Sequence, residues 1–475
     1  MKHNILIAAL SLAALLMPVL SGAHEVQTIG RTYTLSLDGE WQLEGFNEDQ
    51  SKHVNLTAEV PGFVHLDLLR EGMIEDPFWR DNAKYCQWVE YWKWNYKKYF
   101  TVSETFNADH VFLEFDGLDT YTEIFLNGRK LSRGGNPTTE NMFIQYRFDI
   151  SGMLKKGYEN VLEVKFIPIR DAVASKIDPS KYFGAYGDPY RMVMRKMQCT
   201  FGWDWVHRFV SYGIWKPCRI VKYDSARVEN TFFYTEKLSK GSALLQASTN
   251  VDADKDFQGE VRMQLISPSG KTVWSGKKDI IGGGQVKMPV TVKDPELWWP
   301  NGACDQPIYK IVSGVYNAKG KLLHETTSST GIRTVEVEQT PDEIGSSFVF
   351  KVNGKPIFGC GGNWIPADPF PAPTRVDAAW YDRIISRTAA GGMNMMRVWG
   401  GGIYENDAFY DACDRHGILI WQDFMMACGK YPEERPDFVK NFLKEVEYNV
   451  CRLRNHPCIA LWCGDNENGE HGRFV

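Results

Sequence analysis

The chain has 475 residues, too many for one ordinary domain, and about 150 residues per domain suggests roughly three. Hydrophobic residues at 43% and charged residues at 24% are ordinary globular values, while 26 Phe, 21 Tyr and 16 Trp suit thick β-sandwich cores or sugar-stacking platforms. A net charge of -5 with both signs interspersed leaves no basic patch long enough for nucleic acid, and that class is set aside.

Residues 1–23 join Lys2 and His3 to an uncharged apolar run from Ile5 to Leu20 and end on Ser21, Gly22 and Ala23. This is the pattern of a secretory signal peptide cleaved after Ala23; the run is short for a membrane span and is broken by Pro18. No Cys precedes Cys86, which argues against a lipid-attached N-terminus. No other segment reads as a span, so the mature chain is expected in an exported compartment, periplasmic or extracellular. The ten cysteines lack CxxC spacing, so buried free thiols are expected rather than a metal site, and no cofactor is called for.

From 24 to 225, "YTLSLDGEWQL", "VFLEFDGL", "YTEIFLNGRKL" and "VLEVKFI" are short apolar or alternating runs bounded by Asp-Gly and Asn-Gly. They predict an all-β sandwich of the jelly-roll kind. From 226 to 335, "GEVRMQLIS", "KTVWSGKK" and "PIYKIVSGVY" predict a second, smaller, immunoglobulin-like sandwich.

The period changes in the last region, 336–475. "FVFKVNGKPIFGCGGNWI" is strand-like; "VDAAWYDRIISRTAAGG" predicts a helix opened near Asp377 and stopped at Gly391-Gly392. "MNMMRVW" and "ILIWQDF" predict strands around the helix "NDAFYDACDRHG", which closes on Gly417. Phe438, Phe442, Val446, Val450 and Leu453 then form an apolar stripe at helical spacing, and the strand "IALWC" follows. Strands alternating with helices mean βα units and a parallel sheet, with function at the C-terminal strand ends.

Those ends carry the candidate residues. Glu467 stands just beyond an apolar strand, between Asn466 and Asn468; a carboxyl partly buried among aromatics has a raised pKa and can act as a general acid. A surface turn is the alternative reading of this Asn-Glu pair. Trp399 ends "RVW" before three glycines that let backbone approach a ligand, and its face could stack on a sugar or pack in a core. Arg397 could orient carboxylates or form a structural ion pair. Asp423 in "WQDF" is a second carboxylate in the same layer. Asn363 and Trp364 in "GGNWIP" could line the edge of a site or pack the sheet, and Glu405 after "GGIY" is a weaker candidate. In "FGWDW", Trp203 and Asp204 would be a packed β-turn on composition alone.

The segment "RNHPCIALWCGDNEN" resembles the acid/base segment of glycoside hydrolase family 2. "VPGFVHLDLL", "FDGLDTYTEIFLNG", "MQCTFGWDW", "GIWKP", "LWWPNG", "GIRTVEVE", "MNMMRVWGGGIYE" and "ILIWQDFMMAC" are similar, in the expected order, to the β-mannosidase branch of that family. The resemblance implies a jelly roll, an immunoglobulin-like sandwich and a (β/α)8 catalytic barrel. It implies a retaining enzyme that removes terminal nonreducing β-D-mannosyl residues from a β-mannoside oligosaccharide or glycan. Glu467 would be the acid/base, Asn466 the ligand of the sugar 2-hydroxyl, and Asp204 a hydrogen-bonding partner of sugar hydroxyls. Trp203 would shape the pocket, Trp399 form its floor, and Asp423 support the site or bind substrate. After "FGWDW" this chain continues Val206-His207-Arg208, where the family commonly has Gly-Pro-Arg.

A (β/α)8 barrel takes about 250 residues, and about 130 follow residue 345. The last region is therefore expected to be the first half of the barrel, with the nucleophile beyond residue 475 and the chain alone inactive. Two other readings share the motifs: a family 2 glycosidase acting on a β-glucosaminide, galactoside or glucuronide, and a non-catalytic carbohydrate-binding protein.

Overall fold

The computed structural model describes residues 26–29, 32–131, 138–174, 178 and 181–471. The expected signal peptide, 1–23, lies outside the described residues. Among them, no helix is long and apolar enough to cross a membrane.

The first region folds as two packed antiparallel sheets. One has five strands in the spatial order Val26–Ile29, Thr32–Ser36, Cys218–Tyr223, His110–Phe115 and Tyr146–Asp149. The other has six: His53–Val60, Gly39–Phe46, Lys93–Thr101, Glu159–Phe166, Thr122–Leu126 and Arg129–Leu131. Alternation does the packing, since Leu162, Val164 and Phe166 of one strand point inward to a core shared with Trp41, Trp94 and Tyr96. Asn127-Gly128, both with positive φ (53° and 78°), joins the last two strands as a two-residue hairpin turn requires.

The second sandwich sets three strands, Ala226–Ser239, Ser242–Ala253 and Gly284–Lys293, on four, Thr272–Ile281, Gln258–Ile266, Tyr309–Asn317 and Leu322–Thr330. Val286, Met288, Val290 and Val292 are buried in strict alternation, which fixes the register. A small antiparallel sheet follows, made of Val335–Glu338, Val349–Val352 and Lys355–Ile357.

Four parallel strands then lie side by side in chain order: Gly361–Trp364, Met395–Val398, Leu419–Asp423 and Ile459–Cys463. Helices Ala378–Ala390, Asp407–His416 and Pro436–Leu453 connect them. Asp377 caps the first helix by accepting a hydrogen bond from the Trp380 N–H at 2.7 Å, and Gly417 closes the second in a left-handed conformation (φ 73°). The third helix departs from the expected stripe: Phe438 and Leu453 are buried, but so are Glu445 and Asn449, while Phe442, Val446 and Val450 are only half-buried. Its inner face meets the first sandwich through polar groups. The Arg195 guanidinium grips Glu445 at 2.7 and 2.8 Å, Tyr404 donates to the same carboxylate at 2.9 Å, and the Asn449 amide donates to the Phe143 carbonyl at 3.0 Å.

One apolar core runs without interruption from Phe63, Phe209 and Trp215 of the first sandwich to Met396, Trp399 and Ile420 of the parallel sheet. This shared core holds a sandwich loop over the strand ends. All ten cysteines are free thiols, six of them buried.

Candidate active site

Parallel strands align equivalent side chains in layers. Asn363 pairs in register with Arg397, and Trp364 with Val398. Because a strand alternates faces, Asn363 and Arg397 share one side and Trp364 takes the other. A pocket of about 440 Å³ opens at the C-terminal ends of these strands. Asn363, Arg397, Trp399, Asn466 and Glu467 line it from the sheet, and Trp203 and Asp204 from the first sandwich.

Arg397 organises the polar side. Its Nη2 lies 2.7 Å from Asp423 Oδ2, its Nε donates to Asp423 Oδ1 at 3.1 Å, and Nη2 also donates to Asn466 Oδ1 at 2.8 Å. Asp423 takes a further hydrogen bond from the Gly400 N–H at 3.0 Å. Burial pushes the Asp423 carboxyl up, and the Arg397 guanidinium and the Gly400 N–H pull against it. Asp423 is fully buried behind Arg397 and does not line the pocket, a placement that suits its expected supporting role better than direct contact with substrate.

The aromatic side comes from two domains. Trp203 meets Trp399 edge to face at 4.8 Å, and Trp205 does so at 6.1 Å. Tyr186 packs on Trp203 at 4.5 Å. The turn at 203–206 is closed by the Trp203 N–H donating to the Val206 carbonyl at 3.0 Å, which sets Asp204 exposed at its tip, facing the pocket. Arg208 anchors the far side of the loop on Glu90 and Asp188, both at 2.8 Å. Glycines permit the close approach: a Cβ on Gly400 would stand 2.6 Å from the Met426 carbonyl, and one on Gly401 1.9 Å from the Trp399 ring.

Three expectations need correction. Trp364 does not line the pocket; its indole lies on the helix side, 4.9 Å from the Phe409 ring, and donates to Glu405 at 2.9 Å. The strand's two-residue period puts it there. Glu405 is buried and also accepts from Tyr381 at 2.6 Å, so it serves this packing and not the pocket. Glu467 was expected partly buried among aromatics, but its side chain is exposed at the pocket wall. The loop after strand Ile459–Cys463 turns it outward with a left-handed backbone, φ 61°. The partner of its carboxylate is the Cys428 thiol, with Sγ 3.1 Å from Oε2.

Cys428 is a pocket residue that sequence reasoning missed, together with Tyr186, Trp205 and Ile365. Its φ is 48°; its N–H donates to the Asn466 carbonyl at 2.8 Å, and the Asn466 amide donates to Sγ at 3.2 Å. Burial, and then the Glu467 carboxylate, push the thiol up to about 12, so it is a neutral donor. Tyr186, Cys428 and Glu467 all line the pocket with positive φ (62°, 48° and 61°), the kind of backbone strain that gathers at functional sites. Asp465 turns away; its Oδ1 accepts from the Asn468 N–H at 3.0 Å.

Among the described residues, Asp411, Asp414 and His456 have potential ligand atoms within 4.8 Å of one another, and none of the three lines this pocket. The pocket itself offers a hydrogen-bonding rim, an aromatic wall and an exposed carboxylate at a strand end. Those groups can hold a polyhydroxylated ring and pass a proton to it.

Residues 41–216 match the "Glycosyl hydrolase 2 galactose-binding domain-like" family, and residues 226–333 match "Glycosyl hydrolases family 2". Beta-mannosidase B of Emericella nidulans is 37% identical over 426 residues, covering 88% of this chain and 49% of that protein. The beta-mannosidase of Bos taurus is 34% identical over 461 residues, covering 92% of this chain and 50% of that one. The chain thus spans about half the length of the curated relatives it matches. Beta-D-mannosidase of Dictyoglomus thermophilum superposes with a TM-score of 0.83 at 39% identity, over 91% of this chain and 52% of that one. A beta-glucuronidase of Bifidobacterium dentium superposes with a TM-score of 0.67 at 20% identity, over 92% of this chain and 68% of that one, a likeness of fold alone. With both sandwiches matching the family's own domains and relatives of this similarity across nine-tenths of its length, the chain belongs to glycoside hydrolase family 2.

Proposed function

We propose that this chain forms the substrate pocket of an exported β-mannosidase, which hydrolyses terminal nonreducing β-D-mannosyl residues with retention. Its four βα units are taken as half of a (β/α)8 barrel. The observation that carries the reading is the convergence of Asn466 and Glu467 with Arg397, Trp399 and Asp204 in one pocket at the strand ends. The terminal sugar stacks on Trp399 with Trp203 beside it, Asp204 accepts hydrogen bonds from its hydroxyls, and Asn466, held by Arg397, binds the 2-hydroxyl. Glu467 protonates the leaving glycosidic oxygen and then takes a proton from the incoming water. The attacking carboxylate is not assigned among the described pocket residues.

A neutral sugar fits better than a uronate. Arg397, the cation lining the described pocket, is already engaged by Asp423 and Asn466, while Asp204 and Glu467 would repel a second carboxylate. The similarity to β-mannosidases, at 34 to 39% identity, favours mannose among neutral sugars. The test is a panel of p-nitrophenyl β-glycosides given to the enzyme carrying this chain. Mannoside should exceed glucuronide, galactoside and glucosaminide in kcat/KM by at least about 100-fold, a margin that pocket polar contacts can supply. A glucuronide or galactoside turned over as fast as the mannoside would defeat the reading.

A further inference from the structure

We infer that Arg191, a buried arginine of the first sandwich, is a positioning residue that holds the Cys428 thiol against Glu467; this rests on Glu467 being the acid/base. Arg191 is 1% exposed and outside the pocket lining. Its donors are spent on neutral acceptors. Nε and Nη2 donate to the Ala185 carbonyl at 3.2 and 2.9 Å, and Nη2 donates to the Cys428 carbonyl at 3.0 Å. Nη1 donates to the Ala427 carbonyl at 3.1 Å and to Gln198 Oε1 at 2.8 Å. Burial pulls its pKa down, the mark of a cation kept from water.

A buried cation held by carbonyls is costly, and a neutral residue would avoid the cost. A planar fork of five N–H groups is what a neutral side chain, or lysine, cannot reproduce. The acceptors show its use. Ala427 and Cys428 belong to a short loop segment between two partners. On one side Gly184 pairs with Gly429, and the Ala185 N–H donates to the Cys428 carbonyl at 2.9 Å. On the other, Ala427 pairs with Asn466. Arg191 therefore clamps the strip that carries Asn466 and Glu467 to the sandwich that carries Trp203, and its own guanidinium carbon sits 5.1 Å from the Trp203 ring centroid. A Cβ on Gly184 would lie 2.9 Å from Arg191 Nε, so the loop is fitted around the guanidinium.

Cys428 needs such a clamp because its φ of 48° is disfavoured for a side-chain-bearing residue, and without the guanidinium its carbonyl would keep only the Ala185 N–H against relaxation. Relaxation would swing the thiol away from Glu467 Oε2 and free the carboxylate to leave its working geometry. A displacement of about 1 Å can cost on the order of 100-fold in rate.

The test uses Arg191→Lys and Arg191→Met in the enzyme carrying this chain. Two readouts are taken: alkylation of Cys428 by iodoacetamide, followed by peptide mass spectrometry, and steady-state hydrolysis of a β-mannoside. Buried Cys199 is the internal control for folding. Both variants should label Cys428 roughly 10-fold faster or more with Cys199 still protected, and kcat should fall roughly 10- to 100-fold with KM within about twofold. Parental labelling of Cys428, a loss confined to KM, or Cys199 labelling as fast as Cys428 in both variants would overturn the inference. If Glu467→Gln retains turnover while the Arg191 variants expose Cys428, the acid/base reading fails and the clamp on Cys428 stands. If Glu467→Gln is inactive and Cys428 labels as in the parent, the clamp alone fails.

Discussion

Among the described residues, two cavities of similar size border the parallel sheet's domain, and they differ in what their polar groups face. The strand-end pocket measures about 440 Å³; the other, about 500 Å³, lies where the second sandwich meets two helices and is lined by Tyr309, Lys310, Ser328, Asp411, Arg452 and His456. In the second, His456 and Arg452 are spent on carboxylates. His456 Nδ1 sits 2.6 Å from Asp414 Oδ2, Asp414 Oδ1 accepts the Cys458 N–H at 3.0 Å, and Arg452 is paired with Asp407. Asn455 donates to the Thr231 carbonyl at 2.6 Å and accepts from the Phe233 N–H at 3.2 Å, sealing sandwich to helix. In the strand-end pocket, by contrast, two carboxylates and several aromatic rings face the open volume. Volume does not make a site; a stacking surface beside polar groups turned toward the space does.

The sharpest break in this comparison is Glu467→Gln. Loss of general acid catalysis should lower kcat/KM on mannobiose by roughly 100- to 10,000-fold, and much less on an aryl mannoside whose leaving group needs no proton. Equal losses on both substrates, measured side by side, would mean that Glu467 does not protonate the leaving group. Arg397→Ala should come next: it leaves Asp423 buried and unpaired, and urea unfolding should show a loss of about 3–5 kcal/mol. Cys428→Ala should lower kcat by about 10-fold, while Cys428→Ser, which keeps a donor near Glu467, should recover most of it.

The smallest effect belongs to the other cavity. Burial lowers the His456 pKa, but the Asp414 and Asp411 carboxylates raise it more, and the net shift is upward. That contribution to stability is complete below the unfolded value of about 6.5 and is lost as pH rises through the higher folded value. Thermal unfolding from about pH 6 to 9 should therefore show a decline that Asp414→Asn flattens. Hydrolysis by that variant should match the parent, and a large loss of kcat/KM would erase the distinction between the two cavities.

Much of the site was legible because its residues sit at the ends of strands that local pattern reveals. "RVW" and "IALWC" read as strands, so Arg397, Trp399, Asn466 and Glu467 could be placed in one layer, and the four parallel strands follow that expectation. The choice between Asn363 and Trp364 was not legible, since either could face inward until the pairing with Arg397 and Val398 sets the face. Asp423 read correctly as a carboxylate at a strand end, but its burial depends on Arg397 and Gly400, which are remote in sequence. Cys428 and Arg191 were invisible for the same reason: a loop-to-loop pairing of Ala427 with Asn466, and a sandwich arginine reaching it, leave no periodic trace. The buried face of helix Pro436–Leu453 was misread because Glu445 becomes an interior residue only through Arg195, 250 positions away in sequence.

The most direct measurement is a crystal structure of the Glu467→Gln enzyme with mannobiose bound. The expected result places the terminal mannose against Trp399, with Asp204 on its hydroxyls and its glycosidic oxygen about 2.6–3.2 Å from the side chain at 467. Sugar bound beside Asp411 and His456, or a glycosidic oxygen out of reach of residue 467, would contradict the account.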